Sequence, residues 1–152
     1  MKYWDSSALV PLCVEETATE RMIALYRADP VVITWWGSEI ECASALARLE
    51  REGAMATEKV SLALERLKDL RAAWHEIQPS QSLRDTAVRL LRVHPLRAAD
   101  AMQLSSAIIA SDREPSALEI VTLDARLASA ARREGFAVAG IESLGDAGQG
   151  EA

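Results

Sequence analysis

Apolar residues recur along this chain in two rhythms. Short continuous runs read as strands covered on both faces. Lys2 to Trp4 is one, ending at Asp5, and the β-branched run Val31-Val32-Ile33-Thr34 is a second. Leu118-Glu119-Ile120-Val121-Thr122-Leu123 is a third and runs into Asp124. Ile77-Gln78 before Pro79 and Phe136 to Ala139 complete the set. Between them the spacing turns helical. It predicts helices over Thr17 to Tyr26, Glu39 to Glu52 (closed by Gly53), and Glu58 to Trp74, with Thr57 as cap. Further helices are expected over Ser82 to Val93, from about Asp100 to Ala110, and over Arg126 to Glu134. Ser6 and Ser7 can cap a helical turn from Ala8, which Pro11 begins or distorts. Strands alternating with helices imply a parallel sheet layered by helices. Ligand sites in such sheets lie at the carboxyl ends of the strands, where Asp5 and Asp124 both stand.

Composition narrows the class. A chain of 152 residues with 49% hydrophobic and 26% charged residues is expected to fold as one domain with a sizeable core. No internal repeat or second domain is visible, and the Gly-, Asp- and Ala-rich segment 145–152 reads as a flexible tail beyond a domain spanning 1–144. The start has no apolar signal-peptide core and no run approaches a membrane span, so the expectation is a cytoplasmic protein without membrane contact. Cys13 and Cys42 lack metal-ligand spacing and read as buried thiols; His75 and His94 read as surface residues. A net charge of −6 argues against gripping nucleic acid through overall positive charge. A nuclease with a local basic rim and a bound metal remains compatible with it.

The chemistry lies in acids. Asp100 opens a helix that is otherwise mostly apolar and shares a helical face with Leu104, Ala107 and Ile108, so it is expected to face the apolar layer. Alone it would read as a cap of its own helix or a partner of Arg97, and Asp124 alone as the N-cap of the next helix. In Ser38-Glu39-Ile40-Glu41-Cys42, Glu41 shares a stripe with Ala45 and Leu49, whereas Glu39 lies with Cys42, Ala43 and Leu46. Periodicity leaves both open. Three or four acids gathered at one sheet edge repel unless a divalent cation neutralises them. Oxygen-only ligands favour Mg²⁺ or Mn²⁺ over zinc, and such a site suits phosphodiester hydrolysis.

Four segments in order carry a family likeness: Tyr3-Trp4-Asp5-Ser6-Ser7-Ala8-Leu9-Val10, Glu41-Cys42-Ala43-Ser44-Ala45-Leu46-Ala47-Arg48, Leu96-Arg97-Ala98-Ala99-Asp100-Ala101-Met102-Gln103-Leu104, and Val121-Thr122-Leu123-Asp124-Ala125-Arg126-Leu127. From Lys2 to about Leu144 the chain resembles PIN-domain ribonucleases, above all the VapC-type toxins of type II toxin–antitoxin systems. The resemblance implies a three-layer α/β/α sandwich with a central, mainly parallel sheet. It implies a Mg²⁺-dependent endoribonuclease, with Mn²⁺ as substitute, whose metal-binding and catalytic acids are Asp5, Glu41, Asp100 and Asp124. The family pattern acid-x-x-x-Ala-Leu selects Glu41 over Glu39, and Ser7 matches a hydroxyl position near the metal. It further implies an RNA substrate, a cognate antitoxin protein and a homodimer. Pro11, where many relatives have Lys, and the Trp35-Trp36 pair depart from the pattern.

The tryptophans have a plain use as strand-end packing and a sharper one as a stacking platform or antitoxin anchor; the plain one is expected for at least one of them. Arg97, with Arg48, Arg51, Arg126, Arg132 and Arg133, is a candidate phosphate contact. For most of these, surface pairing with Glu50, Glu52 and Glu134 is the expectation. A phosphoacceptor receiver domain also gathers acids at strand ends, but it wants paired acids after the first strand and a late Lys. Asp5 is followed by Ser6 and no Lys occurs after Lys68. The remaining alternatives keep the fold: a housekeeping PIN nuclease in RNA processing, or a non-catalytic partner-binding module, against which all four acids argue.

Overall fold

A computed structural model describes residues 1–141, and the segment expected as a tail lies outside them. Five strands form the sheet: β1 (Lys2–Trp4), β2 (Val32–Trp35), β3 (His75–Ile77), β4 (Glu119–Thr122) and β5 (Ala137–Gly140). Seven α-helices connect or cover them: α1 (Ser6–Cys13), α2 (Thr19–Ala28), α3 (Ser38–Arg51), α4 (Thr57–Ala73), α5 (Gln81–Val93), α6 (Ala98–Ala110) and α7 (Ala125–Arg133). The strand order is β3-β2-β1-β4-β5, and every pairing is parallel.

Two neighbouring side chains show why the molecule has three layers. Successive residues of a strand point to opposite faces, and both Tyr3 and Trp4 of β1 are fully buried. Trp4 packs with Leu9, Met22, Leu46, Leu67 and Trp74 in a core under α1 to α4. Tyr3 packs with Ile33, Leu90, Leu104, Leu127 and Phe136 in a second core under α5 to α7. A strand this short can sit at the centre of a sheet because each of its side chains has an apolar layer to enter. The order also sets the site. From β1 the chain winds outward through β2 to β3 on one side and later through β4 to β5 on the other. The crevice opens where those directions diverge, between the ends of β1 and β4.

Several local expectations shift. The first helix begins at Ser6, and Pro11 lies buried inside it, where it leaves the Ser7 carbonyl without an i+4 donor. The N-cap of α4 is Ala56, so Thr57 is already helical. Helix α5 starts one residue before Ser82 because the Ser80 hydroxyl accepts the Leu83 amide at 3.1 Å. His75 is exposed as expected, but His94 is buried. It closes α5 and meets Glu134, at the end of α7, through Nε2 at 2.7 Å. Both cysteines are buried and free. Among the described residues no helix is long and apolar enough to cross a membrane.

Gly140 ends β5 with φ +98°, and a Cβ there would lie 2.6 Å from the Thr122 carbonyl oxygen, a backbone atom. Gly140→Ala therefore meets both the left-handed backbone penalty and an overlap that no rotamer relieves. It should lower stability by at least about 2 kcal/mol, read as a lower urea midpoint at unchanged slope. A wild-type midpoint would mean that β5 shifts freely against β4.

Candidate active site

Asp5 follows β1 at the N-cap position of α1, yet its carboxylate makes no cap bond. Instead it accepts the Ser7 hydroxyl at 2.8 Å. The Ser7 oxygen is itself occupied by the Leu123 amide at 2.9 Å, so its proton is free to turn toward Asp5. Thr122 Oγ1 lies 3.3 Å from Ser7 and also bonds Asp5. Two hydroxyls from β4 and α1 thus hold one buried carboxylate at the sheet edge.

Three other acids line the same cleft of about 260 Å³: Glu41, Asp100 and Asp124. Glu41 reaches it from the first turn of α3, and Gln103 of α6 donates to its Oε2 at 2.5 Å. Glu39, two residues earlier, turns away and pairs with Arg71 at 2.8 Å. Geometry therefore separates the two acids that periodicity left open. Asp124 caps α7, its Oδ1 accepting the amides of Arg126 at 2.8 Å and Leu127 at 3.0 Å. Asp100 accepts the Arg97 amide at 3.2 Å. Both local capping roles exist, and both acids still border the cleft. The expectation that Asp100 faces the apolar layer is corrected. Leu104, Ala107 and Ile108 are buried, but Asp100 sits at the first turn of α6, beyond the sheet's edge, and is only partly covered.

The cleft is electrostatically uneasy. Burial pushes the Asp5 carboxyl up to about 7, against the bonds from Ser7 and Thr122, with the Asp124 charge adding to the rise. Burial likewise raises Glu41 to about 7, against the Gln103 bond, with Asp5 and Asp100 adding to it. Asp100 is also raised, first by burial and then by Asp124, while its Arg97 amide bond opposes. In Asp5, Glu41 and Asp100 burial, with a neighbouring acid adding to it, disfavours the charged form, as expected of acids awaiting a cation.

The donor set, four carboxylates without Cys or His, suits an oxygen-seeking divalent ion. In the present side-chain positions, however, no group of three or more His, Cys, Asp or Glu among the described residues is drawn together to hold a metal. Asp5, Glu41, Asp100 and Asp124 each have one oxygen engaged by a protein donor and the other left for a cation. Simultaneous ligation would require side-chain rotation.

Gln103, which the sequence marks only as part of the Asp100 motif, proves central. It is buried, accepts the Tyr3 hydroxyl at 2.7 Å, and donates to Ser38 at 3.0 Å as well as to Glu41. Its signal was its place three residues after Asp100, on the same helical face. Thr122 could have been suspected as a hydroxyl two residues before Asp124. Trp35 packs half-buried against the second core, edge-to-face with the exposed Trp36 at 6.1 Å. Gly37 makes room for it, since a Cβ there would lie 2.3 Å from the Trp35 indole nitrogen. The expected pairing of Glu134 with α7 arginines is corrected: Arg89 takes it with two bonds of 2.9 and 3.2 Å, alongside His94.

Sequence comparison finds similar proteins. Ribonuclease VapC45 of Mycobacterium tuberculosis strain CDC 1551 is 29% identical over 137 residues, covering 90% of this chain and 93% of the relative. Ribonuclease VapC49 of strain H37Rv matches to the same extent. The chain resembles the VapC-type PIN-domain ribonucleases. No family model matches it. The VapC-like fold also appears among solved structures. FitAcB from Neisseria gonorrhoeae superposes with a TM-score of 0.63 at 17% identity, over 91% of this chain and 96% of that one. A toxin–antitoxin complex from Klebsiella pneumoniae gives 0.58 at 15% identity, over 85% and 91%. At those identities the structures establish the three-layer PIN-like fold.

Proposed function

We propose that this VapC-like chain is a Mg²⁺-dependent endoribonuclease, active also with Mn²⁺, and the toxin of a toxin–antitoxin pair. The observation that carries the reading is the meeting of Asp5, Glu41, Asp100 and Asp124 around one cleft at the ends of β1 and β4. Relatives named ribonucleases, matching almost end to end, support it. Asp5, Glu41, Asp100 and Asp124 would hold the cation, which when bound would activate water and stabilise the leaving oxygen. Ser7 and Thr122 hold the Asp5 carboxylate at the cleft, and Gln103 holds that of Glu41, so both acids face the cleft before a cation arrives. A cation would also offset the burial, and the lesser repulsion, that raise the pKa values of Asp5 and Glu41, so binding should release protons near neutral pH.

The reading includes a cognate antitoxin and a homodimer. A toxin–antitoxin complex among the fold neighbours supports the first. The test is direct. Purified protein should cleave single-stranded RNA internally with Mg²⁺ or Mn²⁺ and lose that activity in EDTA. Expression alone should arrest growth, and a small protein encoded beside it should restore growth in trans. Cleavage without arrest would favour a housekeeping nuclease; undiminished cleavage in EDTA would remove the metal from the account.

The two acids of α3 supply a sharper check. Glu41→Gln should lose cleavage that Glu39→Gln keeps, because only Glu41 lines the cleft, whereas Glu39 makes an exposed ion pair with Arg71. The opposite ranking of the two variants would move the site.

A further inference from the structure

The acidic cleft does not end at its acids. A second depression of about 360 Å³ shares Asp100 and Asp124 with it and adds Arg97, Ala125 and Arg126. A third, of about 250 Å³, shares Ala125 and Arg126 with the second and continues past Ser129 to Arg133, with His94 in its wall. On the opposite bank of the acidic cleft, α3 contributes Arg48. The three depressions therefore form one run along the length of α7, acidic toward the cleft and basic at both ends. Arg48, Arg97, Arg126 and Arg133 are all exposed, and none makes an ion pair with a described residue. Arg97 and Arg126 also favour the charged form of Asp100, yet with no ion pair to tie them their guanidinium groups can reach a phosphate beside the acids.

From this run we infer that the run is an asymmetric track for a single RNA strand. The scissile phosphate lies over the acids, one flanking phosphate is held by Arg48, and a longer arm on the other side is held by Arg97, Arg126 and Arg133. The inference rests on the nuclease reading and adds to it where the strand lies and how much is gripped on each side. Guanidinium forks suit phosphate oxygens, and each contact is charge-assisted. A phosphodiester chain is favoured over an acidic protein segment. A phosphodiester chain carries a charge at every nucleotide, so one strand meets the arginines at both ends and still presents a phosphate to the acids between them.

The test uses the full-length protein with Mg²⁺ and three single-stranded oligoribonucleotides. One is a short core around a mapped cleavage position. The others extend that core on the 5′ or the 3′ side only, to about twelve nucleotides, within the range that single-strand grooves cover. Wild type should gain on the order of tenfold in kcat/KM from each extension, through KM. Arg126→Gln with Arg133→Gln should remove most of the gain from one extension, and Arg48→Gln the gain from the other. In equilibrium binding without cleavage, in EDTA, removing two phosphate contacts should lower the log–log salt slope by about 1.4, since each is worth about 0.7 on single strands. Unchanged thermal midpoints show that the exposed substitutions leave the fold alone.

Both variants acting on the same extension, or neither acting on any, overturns the track. So does a double variant that loses a protein partner but keeps its length advantage on RNA. Wild-type protein that cleaves none of the three RNAs refutes the nuclease reading itself, whereas cleavage without a length advantage refutes only the track.

Discussion

Asp5→Asn should abolish RNA cleavage, by a factor on the order of 10³ or more, and relieve growth arrest while the protein stays folded. Asp5 is the most deeply buried acid of the cleft and the one held by two hydroxyls. The amide keeps its shape but gives up the charge that a divalent ion needs. Several kcal/mol of charge stabilisation are then lost, and each 1.36 kcal/mol is about tenfold in rate. Ser7→Ala is the informative neighbour. Ser7 positions Asp5 without supplying charge, so its loss should cost less, and added Mg²⁺ should recover part of it. An Asp5→Asn protein that cleaves as well as wild type would show that the site lies elsewhere. If instead its thermal transition were lost, Asp5 would be a structural group, and Asp100→Asn, at a less buried position, would decide the question.

The second large effect is on stability, and its sign is unusual for a carboxylate. Asp5 and Glu41 are both raised to about 7 in the folded protein. Below about pH 4 they are protonated in folded and unfolded chains alike and contribute nothing. Between pH 4 and 7 the unfolded chain loses protons that the folded one keeps, so stability falls as pH rises. Above 7 the full penalty is present. One pKa unit is worth about 1.4 kcal/mol, so Asp5 alone sets an upper limit of roughly 4 kcal/mol. Urea midpoints in EDTA should therefore decline from pH 4.5 to 8. Asp5→Asn should flatten the decline and exceed wild type at pH 8, and Mg²⁺ should raise the wild-type midpoint there. Wild-type stability that climbs through this window would mean that cationic partners already neutralise the acids.

The fold was legible because its strands announce themselves. Val32-Ile33-Thr34 and Ile120-Val121-Thr122 are β-branched runs without alternation, which only a sheet buried on both faces accommodates. Asp5 and Asp124 were placed by the same logic, as the residues following strands. What stayed hidden depended on distances across the chain. Periodicity could not choose between Glu39 and Glu41, because Arg71 and Gln103, the groups that take them, stand on other helices. His94 reads as polar and hence exposed until Glu134, forty residues on, supplies a partner that makes its burial tolerable. Asp100 was misdirected for a simpler reason: a helical wheel gives the face but not where the neighbouring layer ends.

Gln103 links the two layers of the molecule across the end of the sheet. Its acceptor end takes a residue of the second core, Tyr3, and its donor end takes Ser38 at the start of α3, whose Cys42 and Leu46 belong to the first. Because an ionised Glu41 carboxylate can only accept, the amide nitrogen of Gln103 turns to it and the amide oxygen is left for the Tyr3 hydroxyl, which sets the direction of the whole chain of bonds. The two halves of the protein should accordingly melt as one cooperative unit. Gln103→Leu should uncouple them, seen in hydrogen exchange as earlier opening of α6 than of α3, with the cleft disassembling before the domain does.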